Sequence, residues 1–124
     1  MSYEQYLQKA PSHRVKRIAE VVREILGNAV SQYCLHQPEM EGALVTITHV
    51  DVSPDLKNAK VYVTAHSENF EDEEIAMFLN AHKGQFRTLL AKQIVSKGAP
   101  ALTFTADQHQ REAAYIDDLF NKLD

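Results

Sequence analysis

Residues 45–65 read VTITHVDVSPDLKNAKVYVTA, and they contain two strand-like runs joined by a short loop. In the second run, residues 59–66, small apolar side chains alternate with polar, basic and aromatic ones, which predicts a strand with one buried face. In the first run the apolar side changes between Thr48 and His49, which predicts a bulge there or burial on both faces. Residues 53–55, Ser-Pro-Asp, favour a turn, so the two runs are predicted to pair antiparallel.

The sequence on both sides of this strand pair predicts helices. An apolar stripe at helical spacing occupies residues 15–30 after Ser12, a residue type that commonly caps helix N-termini. Residues 31–42 show no apolar period and are predicted to be a connecting loop. Beyond the strand pair, Ser67 or Asn69 is predicted to cap a second helix whose acidic first turn suits the positive end of the helix dipole.

Glycine and proline residues mark the predicted boundaries of the remaining helices. Gly84 is predicted to mark a kink or short turn between the second helix and a third. The third helix is predicted to stop at residues 98–100, Gly-Ala-Pro. Residues 101–106 alternate apolar and polar side chains and predict a third strand, parallel to the second because a helical crossover joins them. Residues 111–123 predict a C-terminal amphipathic helix, and residues 1–11 a tail.

The composition indicates one globular domain of ordinary character. The 124 residues, 44% of them hydrophobic, suffice for a single core, predicted to span residues 12–124 after the tail. No apolar run approaches the length of a membrane span, and the first residues lack a signal-peptide pattern, so a cytoplasmic protein without membrane contact is expected. The single cysteine, Cys34, is expected to be a buried structural thiol.

No motif in the chain indicates catalysis. The six histidines show no metal-binding spacing, and neither a P-loop nor a dinucleotide or nucleophile-elbow motif occurs. We therefore expect no catalytic residues, no metal and no cofactor. A small hydrolase or nuclease is the weakest of the alternatives considered.

The charges are segregated along the chain. Although the net charge is −4, nine of the thirteen basic residues lie in residues 9–23 and 81–99, while acids concentrate in 68–74 and from Asp107 onward. This distribution predicts one basic and one acidic side, and a basic side is typical of nucleic-acid contact. Solvated helix faces are the alternative interpretation of the same pattern.

The element order is helix, strand, strand, helix, kink, helix, strand. This order predicts an α+β fold, a type II KH-like domain with a three-stranded mixed sheet and its helices on one face. KH modules that bind nucleic acid carry a GxxG loop between the helix pair, whereas residues 81–84 here read AHKG. Fold alone does not specify function.

Four blocks of sequence resemble the ribosome-binding factor A family across about residues 12–120. They are Arg14-Val15, ITHVDVSPDLKNAKVYV at 47–63, GQFR at 84–87 followed by Leu89 and Leu90, and PALTF at 100–104 with Asp107. The family is similar to KH folds but has an alanine-x-glycine kink; Gly84 matches the glycine, and His82 stands at the alanine position. The family usually has a basic C-terminal tail, whereas the last residues of this sequence, 117–124, are net acidic.

This resemblance implies a non-enzymatic assembly factor of the bacterial small ribosomal subunit. It implies binding to the free 30S subunit late in maturation, contact with 16S rRNA near its 5′-terminal helix, and support of 16S precursor processing. Ribosomal proteins and an assembly GTPase are implied as further partners, and a monomer is expected. The RNA-binding residues are predicted to be Lys9, Arg14, Lys16, Arg17, Arg23, Lys57, Lys60, Tyr62, His82, Lys83, Gly84, Arg87 and Lys92.

The alternative from another class is a protein-interaction module on the same fold without RNA binding. The missing GxxG and the negative net charge favour it. Salt dependence separates the two hypotheses, because phosphate contacts weaken steeply with salt and an apolar interface does not.

Overall fold

The computed structural model describes residues 12–40, 42–94 and 99–107. Three α-helices and three strands follow one another in the predicted order, and a short 3-10 helix lies in the predicted loop after the first helix. They are α1 (His13–Leu35), a short 3-10 helix (Pro38–Met40), β1 (Leu44–Val52), β2 (Asn58–His66), α2 (Asp72–Ala81), α3 (Lys83–Gln93) and β3 (Ala101–Ala106). The predicted tail (1–11) and the predicted C-terminal helix (111–123) lie outside the described residues. The third helix was predicted to continue to Gly98, but α3 ends at Gln93, because the next residue, Ile94, already has an extended backbone.

The sheet has the predicted mixed topology, with strand order β1-β2-β3. β1 pairs antiparallel with β2, and β3 pairs parallel with β2 after the α2–α3 crossover. Of the two predicted alternatives for β1, the bulge is confirmed and burial on both faces is wrong, because the register shifts between Ile47 and His49 and leaves Thr48 as the extra residue. The α+β, KH-like fold class predicted from the sequence is confirmed.

One face of the sheet is buried against the helices. Its side chains are Val45, Ile47, Val50 and Val52 of β1, Ala59, Val61 and Val63 of β2, and Leu102, Phe104 and Ala106 of β3. The α1 stripe that packs on this face consists of Val15, Val22, Leu26, Val30 and Cys34. The opposite face, here called the open sheet face, carries exposed or half-buried polar side chains such as Lys60, Tyr62 and Thr103.

The first helix extends further than predicted, and the loop predicted for residues 31–42 was wrong over 31–35. Cys34 continues the buried stripe four residues after Val30, and its side chain is fully buried. Ser31 stays compatible with the helix because its Oγ donates a hydrogen bond to the Val45 carbonyl oxygen at 2.9 Å. The burial of Cys34 and the hydrogen bond of Ser31 therefore stabilise the last turns of α1, although residues 31–35 show no evident apolar period.

Burial of Cys34 gives a testable chemical property. Desolvation raises the pKa of the Cys34 thiol from about 9 to about 11, because burial disfavours the thiolate. At pH 8 we expect the native thiol to react with a disulfide reagent roughly 100-fold more slowly than the urea-unfolded thiol. Because burial raises the pKa of the Cys34 thiol, burying the neutral thiol stabilises the folded state fully below pH 9. This stabilisation is lost as the pH rises through 11, since the unfolded thiol ionises first. Equal native and unfolded labelling rates would contradict the buried position.

The β1–β2 turn has the hydrogen bonds that its sequence predicts. The Leu56 amide donates to the Ser53 carbonyl oxygen at 2.8 Å, and Leu56 takes a positive φ of 63°. Ser53 Oγ donates to Asp55 Oδ1 at 2.6 Å and accepts from the Asn58 amide at 3.0 Å. The Ser53 hydroxyl and then the Lys57 amide hold the pKa of Asp55 below its usual value. The turn therefore fixes the antiparallel register by local polar contacts.

The predicted caps and kink of the crossover need correction. Glu71 caps α2 in a reciprocal capping box with Glu74, whereas Ser67 Oγ accepts from the Asn69 amide ahead of the helix. The turn between the two helices falls at His82, and Gly84 lies inside the first turn of α3. At this turn the His82 imidazole Nδ1 donates to the Phe78 carbonyl oxygen at 2.9 Å.

The bulge is held by a buried acid from the end of β3. Thr48 Oγ1 donates to Asp107 Oδ2, the Asp107 carboxylate is 6% exposed, and the Asp107 amide donates to the Val63 carbonyl oxygen at 2.9 Å. Removing a donor from a buried carboxylate costs about 2 kcal/mol. We therefore expect Thr48→Val to lower the free energy of unfolding by about that amount in urea titrations. Thr46→Val, at an exposed position two residues earlier, is the matched control and should change it by less than about 0.5 kcal/mol.

Candidate nucleic-acid interface

The predicted basic residues of the first helix are exposed, and three of them, Arg14, Lys16 and Arg17, lie in its first two turns. Ser12 caps the helix by accepting a hydrogen bond from the Val15 amide at 3.2 Å. The first turn contains no acidic side chain. Helix amides, the positive end of the helix dipole and cationic side chains therefore coincide, and this combination attracts anions such as phosphate. Three predicted residues at this end of the helix, Arg14, Lys16 and Arg17, are here called the helix-start patch, and Arg23 lies about two turns further along α1. Lys9 lies outside the described residues.

The helix-start patch is divided by the buried stripe of α1. At about 100° per residue, Lys16 and Arg23 project on one side of Val15, and Arg14 and Arg17 project on the other. Lys16 and Arg23 line a groove between α1 and β1. The four cations therefore serve two adjacent surfaces rather than one.

The groove measures about 400 Å³ and has an apolar floor with charged edges. Its floor is formed by Val15, Ala19, Val50 and Val52, and its polar lining by Lys16, Glu20, Arg23, His49 and Asp51. The acids offset part of the positive charge. An occupant of this groove would contact the exposed edge of β1, which is an outer strand of the sheet.

The kink residues lie around a cluster of aromatic rings. The His82 ring stands 4.6 Å from the Phe78 ring and 5.7 Å from the Tyr33 ring, measured between centroids. Tyr33 also meets Phe86 edge-on at 5.4 Å and its hydroxyl accepts from Gln85 Nε2 at 3.3 Å. Because its ring is half-buried and hydrogen-bonded, His82 has a packing role beside the predicted RNA contact.

The other predicted residues of this region are exposed on α3. Lys83 and Arg87 are four residues apart and share one side of the helix, here called the kink patch. Arg87 Nε donates to the Ala99 carbonyl oxygen at 3.3 Å, so the guanidinium also fixes the chain ahead of β3. Gly84 offers exposed backbone at the same place. Lys92 lies about 140° around the helix from Arg87 and points elsewhere.

The structure separates the helix-start patch from the kink patch. Tyr33, which contacts the kink, lies 19 residues along α1 from Arg14. At 1.5 Å per residue this is about 28 Å, whereas Arg23, midway along the helix, lies about 15 Å from Tyr33. The predicted basic residues therefore do not form one compact cluster, and a partner that meets both the helix-start patch and the kink patch must extend along most of α1.

The predicted residues of the strands lie near the turn and on the open sheet face. Lys57 is exposed, and its carbonyl oxygen accepts from the Ala101 amide at 2.8 Å. Lys60 and Tyr62 alternate with the buried side chains of β2, and Lys60 Nζ stands 5.7 Å from the centroid of the Tyr62 ring. His49, which the sequence analysis did not single out, packs its ring 5.6 Å from Tyr62. The change of apolar side between Thr48 and His49 in the sequence could have identified His49 as a residue of the open sheet face.

The acidic residues of the α2 start have structural partners. Glu71 and Glu74 form the capping box, and Asp72 Oδ1 accepts from the Ala65 amide at 3.0 Å.

Within residues 12–40, 42–94 and 99–107, no group of three or more His, Cys, Asp or Glu side chains is placed to hold a metal ion. In the same ranges no helix combines the length and apolar character that crossing a membrane requires.

Comparisons with known proteins agree on one family. The family model described as ribosome-binding factor A matches residues 14–120. A ribosome-binding factor A of Hyphomonas neptunium is 37% identical over 113 residues, which are 90% of this chain and 84% of that protein. The solution NMR structure of a Thermotoga maritima protein assigned to this factor superposes with a TM-score of 0.62 at 29% identity, covering 78% of this chain and 90% of that one.

A further structural likeness concerns the fold alone. Coordinates of the Thermus thermophilus ribosome-binding factor A, a homology model fitted into the cryo-EM map of a 30S complex, superpose with a TM-score of 0.51. The identity is 24%, and the match covers 68% of this chain and 90% of that one.

Proposed function

The chain belongs to the ribosome-binding factor A family, and from this premise we propose that it binds the free 30S ribosomal subunit late in maturation. The finer parts of the proposal are contact with 16S rRNA near its 5′-terminal helix and support of 16S precursor processing. The Thermus thermophilus family member is described in a 30S complex, and this supports the choice of partner.

The single observation that carries the RNA contact is the exposed, acid-free start of α1. Helices ordinarily place acids in the first turn, as α2 does with Asp72, Glu73 and Glu74. The start of α1 instead carries the helix-start patch, an arrangement that suits a phosphate partner. Contacts of this kind position a protein on RNA by charge and shape and read little sequence.

The proposed factor works as a binding protein without catalytic residues, metal or cofactor. It acts in the cytoplasm, where small subunits mature, and as a monomer. Ribosomal proteins and an assembly GTPase are its further partners, and the acidic α2 start faces away from RNA or toward one of these proteins. The remaining predicted residues, Lys57, Lys60, Tyr62, His82, Lys83, Gly84, Arg87 and Lys92, extend the RNA contact along the sheet and the kink.

Sedimentation in sucrose gradients tests the proposal. Tagged protein in lysate should co-migrate with free 30S subunits and be absent from 70S ribosomes and polysomes. Lys83→Ala/Arg87→Ala should move toward the top of the gradient, since two phosphate contacts are lost. A wild-type protein that stays at the top even at low salt would contradict 30S binding and leave the protein-interaction module as the working hypothesis.

A charge-matched variant controls for net charge. Asn28→Glu/Gln32→Glu also changes the net charge by −2, at exposed positions of α1 outside the predicted set. It should sediment as the wild type does. If it is lost from 30S to the same degree as Lys83→Ala/Arg87→Ala, overall charge rather than contact at the kink explains the loss.

A further inference from the structure

The open sheet face carries two rings and a cation in contact. The centroids of His49 and Tyr62 are 5.6 Å apart with the rings tilted by 42°, and Lys60 Nζ lies 5.7 Å from the Tyr62 centroid. The His49 side chain is 62% exposed, while Tyr62 is half-buried. The imidazole therefore presents its ring to solvent and the phenol supports it from the sheet.

The bulge in β1 is what places His49 on this face. Val45 and Ile47 point into the core, and a regular strand would send residue 49 to the same side. The extra residue at Thr48 reverses the phase, so His49 pairs with Tyr62 and Val50 enters the core instead. The contact of Thr48 with Asp107 holds the bulge in place. The strand irregularity thus exposes an imidazole beside a tyrosine.

The surroundings of the rings suit a flat polar ligand. Asp51 Oδ1 lies 2.7 Å from His49 Nε2 and fixes the imidazole, so this acid is already engaged by the ring. Thr103 and Thr105 of β3 stand opposite Lys60 and Tyr62 in the parallel ladder, and their side chains are shorter than those of the lysine and the tyrosine. Aromatic side chains on an open sheet face, with a neighbouring cation, are the arrangement on which unpaired bases stack.

We propose that His49 and Tyr62 stack an unpaired base of single-stranded RNA, with Lys60 on the adjacent phosphate. The assignment rests on the proposed function for its source of RNA, but it names a different mode of contact from the helix-start and kink patches. Those patches meet phosphates, and their contribution falls with salt. The ring pair contributes stacking, which is tolerant of base identity.

The absence of tryptophan from the chain allows a direct test. Tyr62→Trp introduces a single tryptophan, whose emission is measured while an eight-nucleotide single-stranded RNA is titrated onto the full chain. We expect the RNA to quench this emission and to bind at least as tightly as it binds the wild type. Tyr62→Leu should bind about tenfold more weakly, and Tyr62→Phe should bind like wild type, because stacking needs the ring and not the hydroxyl. Far-UV circular dichroism verifies that each variant is folded.

The outcomes separate this inference from the proposed function. Unquenched tryptophan emission at saturating RNA, or unchanged affinity in Tyr62→Leu, overturns the stacking role, while co-sedimentation with 30S would leave the proposed function standing. Quenching by the oligonucleotide without any 30S association supports stacking and refutes the ribosomal function. A third outcome is that the tryptophan emission changes with RNA-free 30S proteins but not with the oligonucleotide. The open sheet face would then bind a protein partner, and this result overturns the inference.

Discussion

Reversing both groove cations, in Lys16→Glu/Arg23→Glu, is expected to lower the affinity for 16S rRNA about 100-fold at 150 mM salt. Each phosphate contact contributes about 0.9 to the slope of log affinity against log salt on a duplex and about 0.7 on a single strand. Losing two contacts therefore removes tens of fold in affinity, and the repulsion of two new carboxylates adds to the loss. Both side chains are exposed on the side of α1 that faces β1, so the fold should not change.

Fluorescence anisotropy with a labelled 16S fragment, repeated from 50 to 300 mM salt, measures this effect. The slope of the variant should be smaller in magnitude than that of wild type by between one and two. Lys83→Glu/Arg87→Glu, with the same change in net charge, tests the kink patch, which lies near the other end of α1. If only the kink variant loses affinity, phosphate contact is confined to the kink patch; if neither does, the RNA-binding hypothesis fails.

Truncating Leu26 to alanine is expected to lower the free energy of unfolding by about 3 kcal/mol, the largest stability effect that we predict. Leu26 is fully buried at the centre of the α1 stripe that covers the sheet. Loss of three side-chain carbons removes apolar burial and leaves a cavity that rigid neighbours fill incompletely. For a domain of this size, that amounts to a large part of the total stability.

Urea unfolding followed by circular dichroism gives the difference, and Leu35→Ala is the matched control. Leu35 is the last residue of the same helix and is 44% exposed, so the same truncation should cost less than about 1 kcal/mol. Equal losses in the two variants would show that helix propensity, and not burial, accounts for the effect of Leu26.

Much of the fold could be predicted because its signals are local. The alternation over residues 59–66, the turn residues Ser53 and Asp55 and the α1 stripe each reflect a period or a short-range hydrogen bond. Apart from the alternative of burial on both faces of β1, the predictions that were wrong concern element ends. α1 runs on to Leu35 because Cys34 gains full burial, a gain that depends on the sheet beneath it.

The candidate site was less accessible to sequence reasoning. Charge segregation identified two basic windows, but the separation of about 28 Å between Arg14 and the kink depends on how α1 lies against α3. His82 was assigned to RNA alone because its packing with Tyr33, 49 positions earlier in the chain, cannot be inferred from spacing. His49 was missed because the change of apolar side in β1 was compatible with either a bulge or burial on both faces, and the contact that holds the bulge comes from Asp107, 59 residues after Thr48.

Local patterns were enough to predict the α+β class, the strand pair with a change of apolar side in β1, the element order and the family resemblance, because periodicity and turn chemistry act over a few residues. The folded chain was needed to show which cations share a surface, where the kink falls and that His49 meets Tyr62 on the open sheet face. These features depend on contacts between segments far apart in the chain. Such contacts are chosen by the packing of the whole core, and no local pattern encodes them.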